Sequence, residues 1–154
     1  MNAIRARDTA RGIVVRDGNI LLIERFRGEL HYFSIPGGGI EPGETPAQTA
    51  LREIAEETSL NVSLVRQVLI MRDGPHTHYI YLCTYVSGEP YLPPDAPEAQ
   101  IYDPYNRFEP CWLPISALDS SPFVYWEPLR AAIINGLAKG FAAEPLVVSA
   151  STSR

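Results

Sequence analysis

The spacing of apolar and polar positions predicts strands in the first half of the chain and two helices set among them. Ile13-Val14-Val15 and Ile20-Leu21-Leu22-Ile23 flank Arg16-Asp17-Gly18-Asn19, and Asp-Gly between β-branched runs signals a hairpin. Tyr32-Phe33-Ser34-Ile35 predicts a third strand, ended by Pro36 and followed by a loop of three glycines, Gly37 to Gly39. Val62 to Met71 and His78 to Val86 predict two more strands, joined through Asp73-Gly74-Pro75. Residues 87–110 carry six prolines, Pro90, Pro93, Pro94, Pro97, Pro104 and Pro110, and so read as a long loop. Cys111-Trp112-Leu113 predicts a final strand. A last helix starts near Pro128, runs through Leu129, Ala132, Ile133 and Leu137, and stops at Gly140. Residues 1–10 read as a loose arm or first strand, and the tail after Pro145 is small and polar at its end.

The helix between these strands has the clearest local signals. Thr45-Pro46-Ala47-Gln48 is a capping box with proline at the first helical position. Ala47, Ala50, Leu51, Ile54 and Thr58 then recur at helical spacing and form one face. At about 100° per residue, Glu53, Glu56 and Glu57 fall within a sector roughly 100° wide beside that face. Three carboxylates on one flank repel one another, and a divalent cation is their natural counter-charge.

Composition narrows the function. The 154 residues make one domain, spanning 1–154 with its core at about 10–142. A hydrophobic fraction of 45% excludes disorder throughout. The longest apolar runs, Gly12 to Val15 and Ile20 to Ile23, are far short of the roughly 18–20 residues that span a bilayer. Arg5, Arg7 and Arg11 have no apolar stretch between them, so no secretory signal is expected. Cys83 and Cys111 sit in apolar segments and are expected as free, buried thiols in a reducing, cytoplasmic setting. Eighteen acidic against 13 basic residues, net −5, argues against general nucleic-acid binding. A polyanionic substrate would approach such a surface only with cations between.

From Gly38 to Leu60 the chain reads Gly38, Glu44, then Arg52-Glu53-Ile54-Ala55-Glu56-Glu57-Thr58-Ser59-Leu60. This resembles the Nudix box, the signature of the Nudix hydrolase (MutT-like) family. One position departs: Ser59 stands where the family has the helix-ending glycine. A solvated helix face would explain the glutamates taken alone. Gly38, Glu44 and Arg52 at the family's offsets separate the two readings. Gly38 to Thr45 is also one residue from a P-loop, but Glu44 replaces its lysine, a charge reversal facing the phosphates.

The resemblance implies an α/β fold, an α/β/α sandwich with a mixed β-sheet, the box helix on one face and the C-terminal helix on the other. It implies Mg²⁺- or Mn²⁺-dependent hydrolysis of a phosphoanhydride in a nucleoside diphosphate linked to another moiety, a small-molecule nucleotide substrate. Glu56 and Glu57, with the Gly37 carbonyl and Glu53, are the implied metal positions. Glu53 is also the implied base or water holder, and Arg52 and Glu44 would orient the carboxylates. Gly38 lets backbone pass close to metal and phosphate, and Arg25 and Arg27 are candidate phosphate contacts. Family members often recruit a further carboxylate from outside the box, for which Glu98 and Glu109 are candidates. Many relatives pair, so a homodimer is an expectation too. A Nudix-fold sensor that binds without cleaving is the alternative, and RNA cap hydrolysis would need a basic track that the charge balance does not supply.

Other features carry less. His76 and His78 share a strand face without a third ligand nearby, and His31 is uninformative. Tyr32, Phe33, Tyr79, Tyr81, Tyr91, Trp112, Tyr125 and Trp126 include candidates for stacking on a base, although Phe33 and Trp112 read as core. Pro75 lies 15 positions beyond Leu60, a spacing shared by some family members that act on ADP-ribose. With 14 prolines in the chain, it has little weight. Nucleoside triphosphates, dinucleoside polyphosphates, ADP-ribose and nucleotide sugars all stay open as substrates.

Overall fold

The computed structural model describes residues 8–100, 105–122 and 127–150. β1 (Thr9–Arg16) and β2 (Asn19–Arg27) meet at Asp17-Gly18, where both residues have positive φ, 52° and 78°. That is the backbone a tight type I′ hairpin demands, and Asp-Gly supplies it at low cost. β3 (Leu30–Ser34) and β4 (Gly37–Gly39) lead into α1 (Pro46–Thr58). β5 (Asn61–Asp73) and β6 (His76–Ser87) then form a long hairpin. α2 (Pro97–Gln100), β7 (Asn106–Pro114), a 3₁₀ turn (Ile115–Ser120), α3 (Glu127–Lys139) and β8 (Leu146–Ser149) complete the order.

The strands form one sheet in the order β3-β2-β1-β6-β5-β8, with β4 paired to β1 and β7 to β2. β1–β6 and β5–β8 are parallel and the other pairs antiparallel, so the sheet is mixed. Alternation along each strand sends side chains to opposite faces. Ala10, Val14, Leu21 and Tyr81 pack with Ala50 and Ile54 of α1. Ile13, Ile20, Leu22 and Ile80 pack with Leu129 and Ile133 of α3. The expected α/β/α sandwich is the fold. Each fully buried Leu or Ile contributes about 1.5–3 kcal/mol, so these two clusters are what clamp the helices to the sheet. Phe33 is in the α3-side core, and Trp112 is half-buried against the α1-side cluster. No helix among the described residues is long and apolar enough to cross a membrane.

Three strands differ from the sequence reading. The glycine triplet is no loop: it pairs with Thr9–Arg11 of β1 as β4. A Cβ on Gly37 would collide with the Ala10 carbonyl oxygen and with Arg11, so only glycine lets this backbone lie so close. The long loop ends earlier than expected, because Asn106–Pro110 already belongs to β7 and pairs along β2. β7 pairs only with β2 among the described strands, and such an edge strand tolerates prolines that lack an N–H. The tail contributes β8, parallel to β5. Tyr125, Trp126, Pro104, Arg5 and Arg7 lie outside the described residues.

Candidate active site

The carboxylates are placed by α1, whose two ends are locally set. Thr45 Oγ1 accepts from the Gln48 N–H (3.1 Å), and the Gln48 side chain accepts from the Thr45 N–H (2.9 Å). At the other end Ser59 is left-handed (φ 65°) and its N–H donates to the Ala55 carbonyl. The serine therefore adopts the backbone a glycine would, and its hydroxyl donates to the Tyr91 carbonyl at 3.0 Å. A glycine could not make that bond.

Glu53 and Glu57, one turn apart, project toward β4. Glu57 is 5% exposed, and its Oε1 accepts from the Gly37 N–H at 3.1 Å. Gly38 passes so close to the other carboxylate that a Cβ there would lie 2.5 Å from Glu53 Oε2. The tertiary fold brings a third carboxylate to them, since oxygens of Glu53, Glu57 and Glu98 lie within 4.8 Å of one another. Glu98 comes from α2, and its Oε1 is buried with no hydrogen-bond partner among the described residues.

Beside this cluster lies an arginine hub. Glu44 takes Arg52 in a fork, from Nε at 2.6 Å and from Nη2 at 3.0 Å. Glu44 also accepts from Thr49 Oγ1 (2.7 Å) and from the Glu41 N–H (3.0 Å). Arg52 Nη1 then reaches Glu53 (3.1 Å) and Glu56 (3.2 Å). A fixed fork of this kind orients whatever the guanidinium touches. Glu56 is the outer member, 46% exposed as a side chain, and lines a shallow depression with Asp95, Ala96 and two prolines.

The electrostatics divide the acids into two kinds. The Arg52 and Thr49 hydrogen bonds hold Glu44 at about 2. Burial pushes Glu57 well above the ordinary carboxylate range; the Glu53 charge adds to this, while the Gly37 N–H and Arg11 oppose it. Burial also raises Glu53, against the pull of Arg52. A cluster of this kind is an unfavourable thing to fold unless a cation neutralises it. Hard oxygen ligands, an unpartnered buried oxygen and a glycine cradle all fit a divalent ion such as Mg²⁺ or Mn²⁺.

The remaining candidates lie elsewhere. Arg25 donates to Asn106 Oδ1 (3.0 Å) and its guanidinium lies over the Phe108 ring, 5.3 Å from the centroid. Arg27 is exposed at the end of β2. Glu109, on β7, pairs with Arg107 at 2.6 Å and takes no part in the carboxylate cluster. His78 is buried against Thr9 Oγ1 (2.6 Å), and burial and the Arg11 charge lower its pKa. No metal-holding group among the described residues includes a histidine. Arg11 was given no site role by the sequence reading: from β1 it holds the Ile35 carbonyl (3.0 Å) and lends positive charge to Glu57. A lone arginine inside an apolar strand was its only signal. Phe108, too, carried no local cue.

A family model for the NUDIX domain matches residues 6–132. The chain belongs to the Nudix family. It is 34% identical over 106 residues to an ADP-ribose pyrophosphatase of Methanocaldococcus jannaschii, a match covering 62% of this chain and 60% of that one. An RNA pyrophosphohydrolase of Yersinia enterocolitica is 47% identical over 57 residues, 36% of this chain and 31% of that one. The chain thus spans at most about 60% of the length of these curated relatives. Among solved structures, a Nudix hydrolase from Nitrosomonas europaea superimposes with a TM-score of 0.62 at 22% identity, covering 89% of this chain and 91% of that one. An ADP-ribose pyrophosphatase from Streptococcus suis gives 0.62 at 17% identity, covering 94% and 99%. These two likenesses attest the Nudix fold.

Proposed function

We propose that this Nudix chain hydrolyses the phosphoanhydride of a nucleoside diphosphate linked to another moiety, with Mg²⁺ or Mn²⁺ as cofactor. The observation that carries this is the carboxylate cluster of half-buried Glu53 and Glu98 about the buried Glu57, with oxygens within 4.8 Å of one another. The pyrophosphate-cleaving names of the relatives point the same way.

Glu57 and Glu98 would hold the ion, with Glu56 and the Gly37 carbonyl as further oxygen donors. When bound, such an ion neutralises phosphate charge and acidifies a coordinated water. Glu53, held by Arg52 through Oε2, would orient the attacking water and take its proton. Water oxygen bonds to one phosphorus as the bridging P–O bond breaks, releasing a nucleoside monophosphate and a phosphorylated second moiety. Arg52 and Glu44 are positioning residues: they fix Glu53 and Glu56 and touch no reacting atom. Gly38 keeps a side chain out of the space beside the Glu53 carboxylate.

The test is a screen of nucleoside triphosphates, dinucleoside polyphosphates, ADP-ribose and nucleotide sugars with Mg²⁺ and Mn²⁺, products identified by mass. Metal-dependent release of a monophosphate is expected. Tight binding without any product would instead make the chain a sensor.

A further inference from the structure

A cavity of about 430 Å³ lies between the loop after β6 and strand β7, lined by Tyr91, Leu92 and Ala99 on one side and by Phe108, Glu109 and Pro110 on the other. Ala99 follows Glu98 on the same short helix, so this cavity begins one residue from the third carboxylate. Strand alternation places Phe108 and Pro110 on the α1 face, as it does Trp112 of the same strand, which packs with the α1 cluster. Cavity and acidic cluster thus open on one side of the sheet.

Resting on the hydrolase reading above, we propose that this cavity receives the nucleobase of the substrate, stacked on Phe108, and that these residues set its nucleotide preference. The volume suits a ligand pocket. Among the described residues the lining is mostly aromatic and apolar carbon, and its one acidic residue, Glu109, is paired with Arg107. Such a lining offers a flat aromatic ring a stacking surface and offers a sugar phosphate little. Arg25 lies over the Phe108 ring and is itself tied to Asn106, which fixes the platform. The opposite wall is also anchored, because the Tyr91 N–H donates to the Thr58 carbonyl (3.0 Å) and the Tyr91 carbonyl accepts from the Ser59 hydroxyl (3.0 Å). The residue that departs from the box pattern therefore holds a wall of the cavity.

Calorimetric titration of the full chain with Mg²⁺ tests this, comparing AMP, GMP, CMP and UMP with ribose 5-phosphate, which has no base. At least one nucleotide should bind about tenfold or more tightly than ribose 5-phosphate, the scale expected of a base–aromatic stack. Phe108→Ala should bring the two within about twofold while leaving ribose 5-phosphate unchanged, and Phe108→Tyr should restore the preference. Phe108→Leu keeps apolar volume without the aromatic face and should behave as the alanine variant, so a folding defect in one does not end the test. Tyr91→Ala should give a smaller loss. No preference for a base in the wild type, or equal weakening of ribose 5-phosphate by Phe108→Ala and Phe108→Leu, overturns the assignment. Turnover without base preference would sink this assignment alone. Base preference without turnover of any compound would sink the hydrolase reading alone.

Discussion

α1 and α3 are both 13 residues long and cover opposite faces of one sheet, yet they bury different things. α3 buries Leu129, Ile133 and Gly136, which is what a helix needs for packing. α1 buries Ala50 and Ile54 for the same purpose, but also Glu57, with Glu53 and Glu98 against it. An apolar residue at position 57 would serve folding better, since removing carboxylates from water without a cation is costly. The two helices separate stability from chemistry: one is a clamp, the other a clamp with a destabilised acidic flank.

The largest effect that could break this contrast comes from paired substitutions. Glu57→Gln should lower kcat at least about a hundredfold, and should raise the melting midpoint of the metal-free protein, by about 2–4 °C for each kcal/mol of relieved charge. Ile133→Ala should do the reverse: a loss of about 2–5 kcal/mol in denaturant unfolding, with kcat unchanged where the protein is folded. A Glu57→Gln protein that melts lower and still turns over would dissolve the distinction.

Next in size is the positioning network. Glu44→Gln removes the charge that grips Arg52, so kcat should fall about 10–100-fold while KM for the nucleotide stays near its wild-type value. A KM effect without a kcat effect would place Glu44 in substrate binding instead.

The pH dependence of stability follows from the raised carboxyls. A group whose pKa is higher folded than unfolded takes up a proton on folding. Glu57 and Glu53 are both raised, so the metal-free protein should gain stability from them as pH falls toward the ordinary carboxylate value of 4.5. Glu44 runs oppositely: its contribution is present above 4.5 and is lost as pH falls toward about 2. Melting curves with and without Mg²⁺ should therefore differ least at acidic pH, where these carboxyls are protonated, and more as pH rises.

The smallest expected effect sharpens the role of the helix end. Ser59→Gly relieves a left-handed serine, worth roughly 1 kcal/mol, and loses a hydrogen bond of similar worth. Stability should change by less than about 1 kcal/mol. The loosened Tyr91 wall should raise the nucleotide KM about twofold to fivefold. No change in KM would show that the wall stands without it.

What the chain declared by itself was local. Asp17-Gly18 announced its hairpin because a two-residue turn depends on its own φ values. Thr45 and Gln48 announced the start of α1 because a capping box closes within four residues. Glu53, Glu56 and Glu57 were legible because helical periodicity places them relative to one another before any tertiary contact forms, and Glu44 and Arg52 because their offsets match the Nudix box. Tertiary structure decided everything that depends on a partner distant in sequence. β7 and β8 exist as strands because β2 and β5 complete their hydrogen bonds. Proline density hid the first part of β7, up to Pro110, and the small, polar end of the tail hid β8. Glu98 and Glu109 looked alike as spare carboxylates, yet α2 carries one into the cluster while β7 pairs the other with Arg107. Arg11 beside Glu57, and Phe108 beneath Arg25, likewise arise from contacts across the sheet. Spacing along a chain determines who can stand side by side on one helix; which strangers meet them is settled only when the sheet closes.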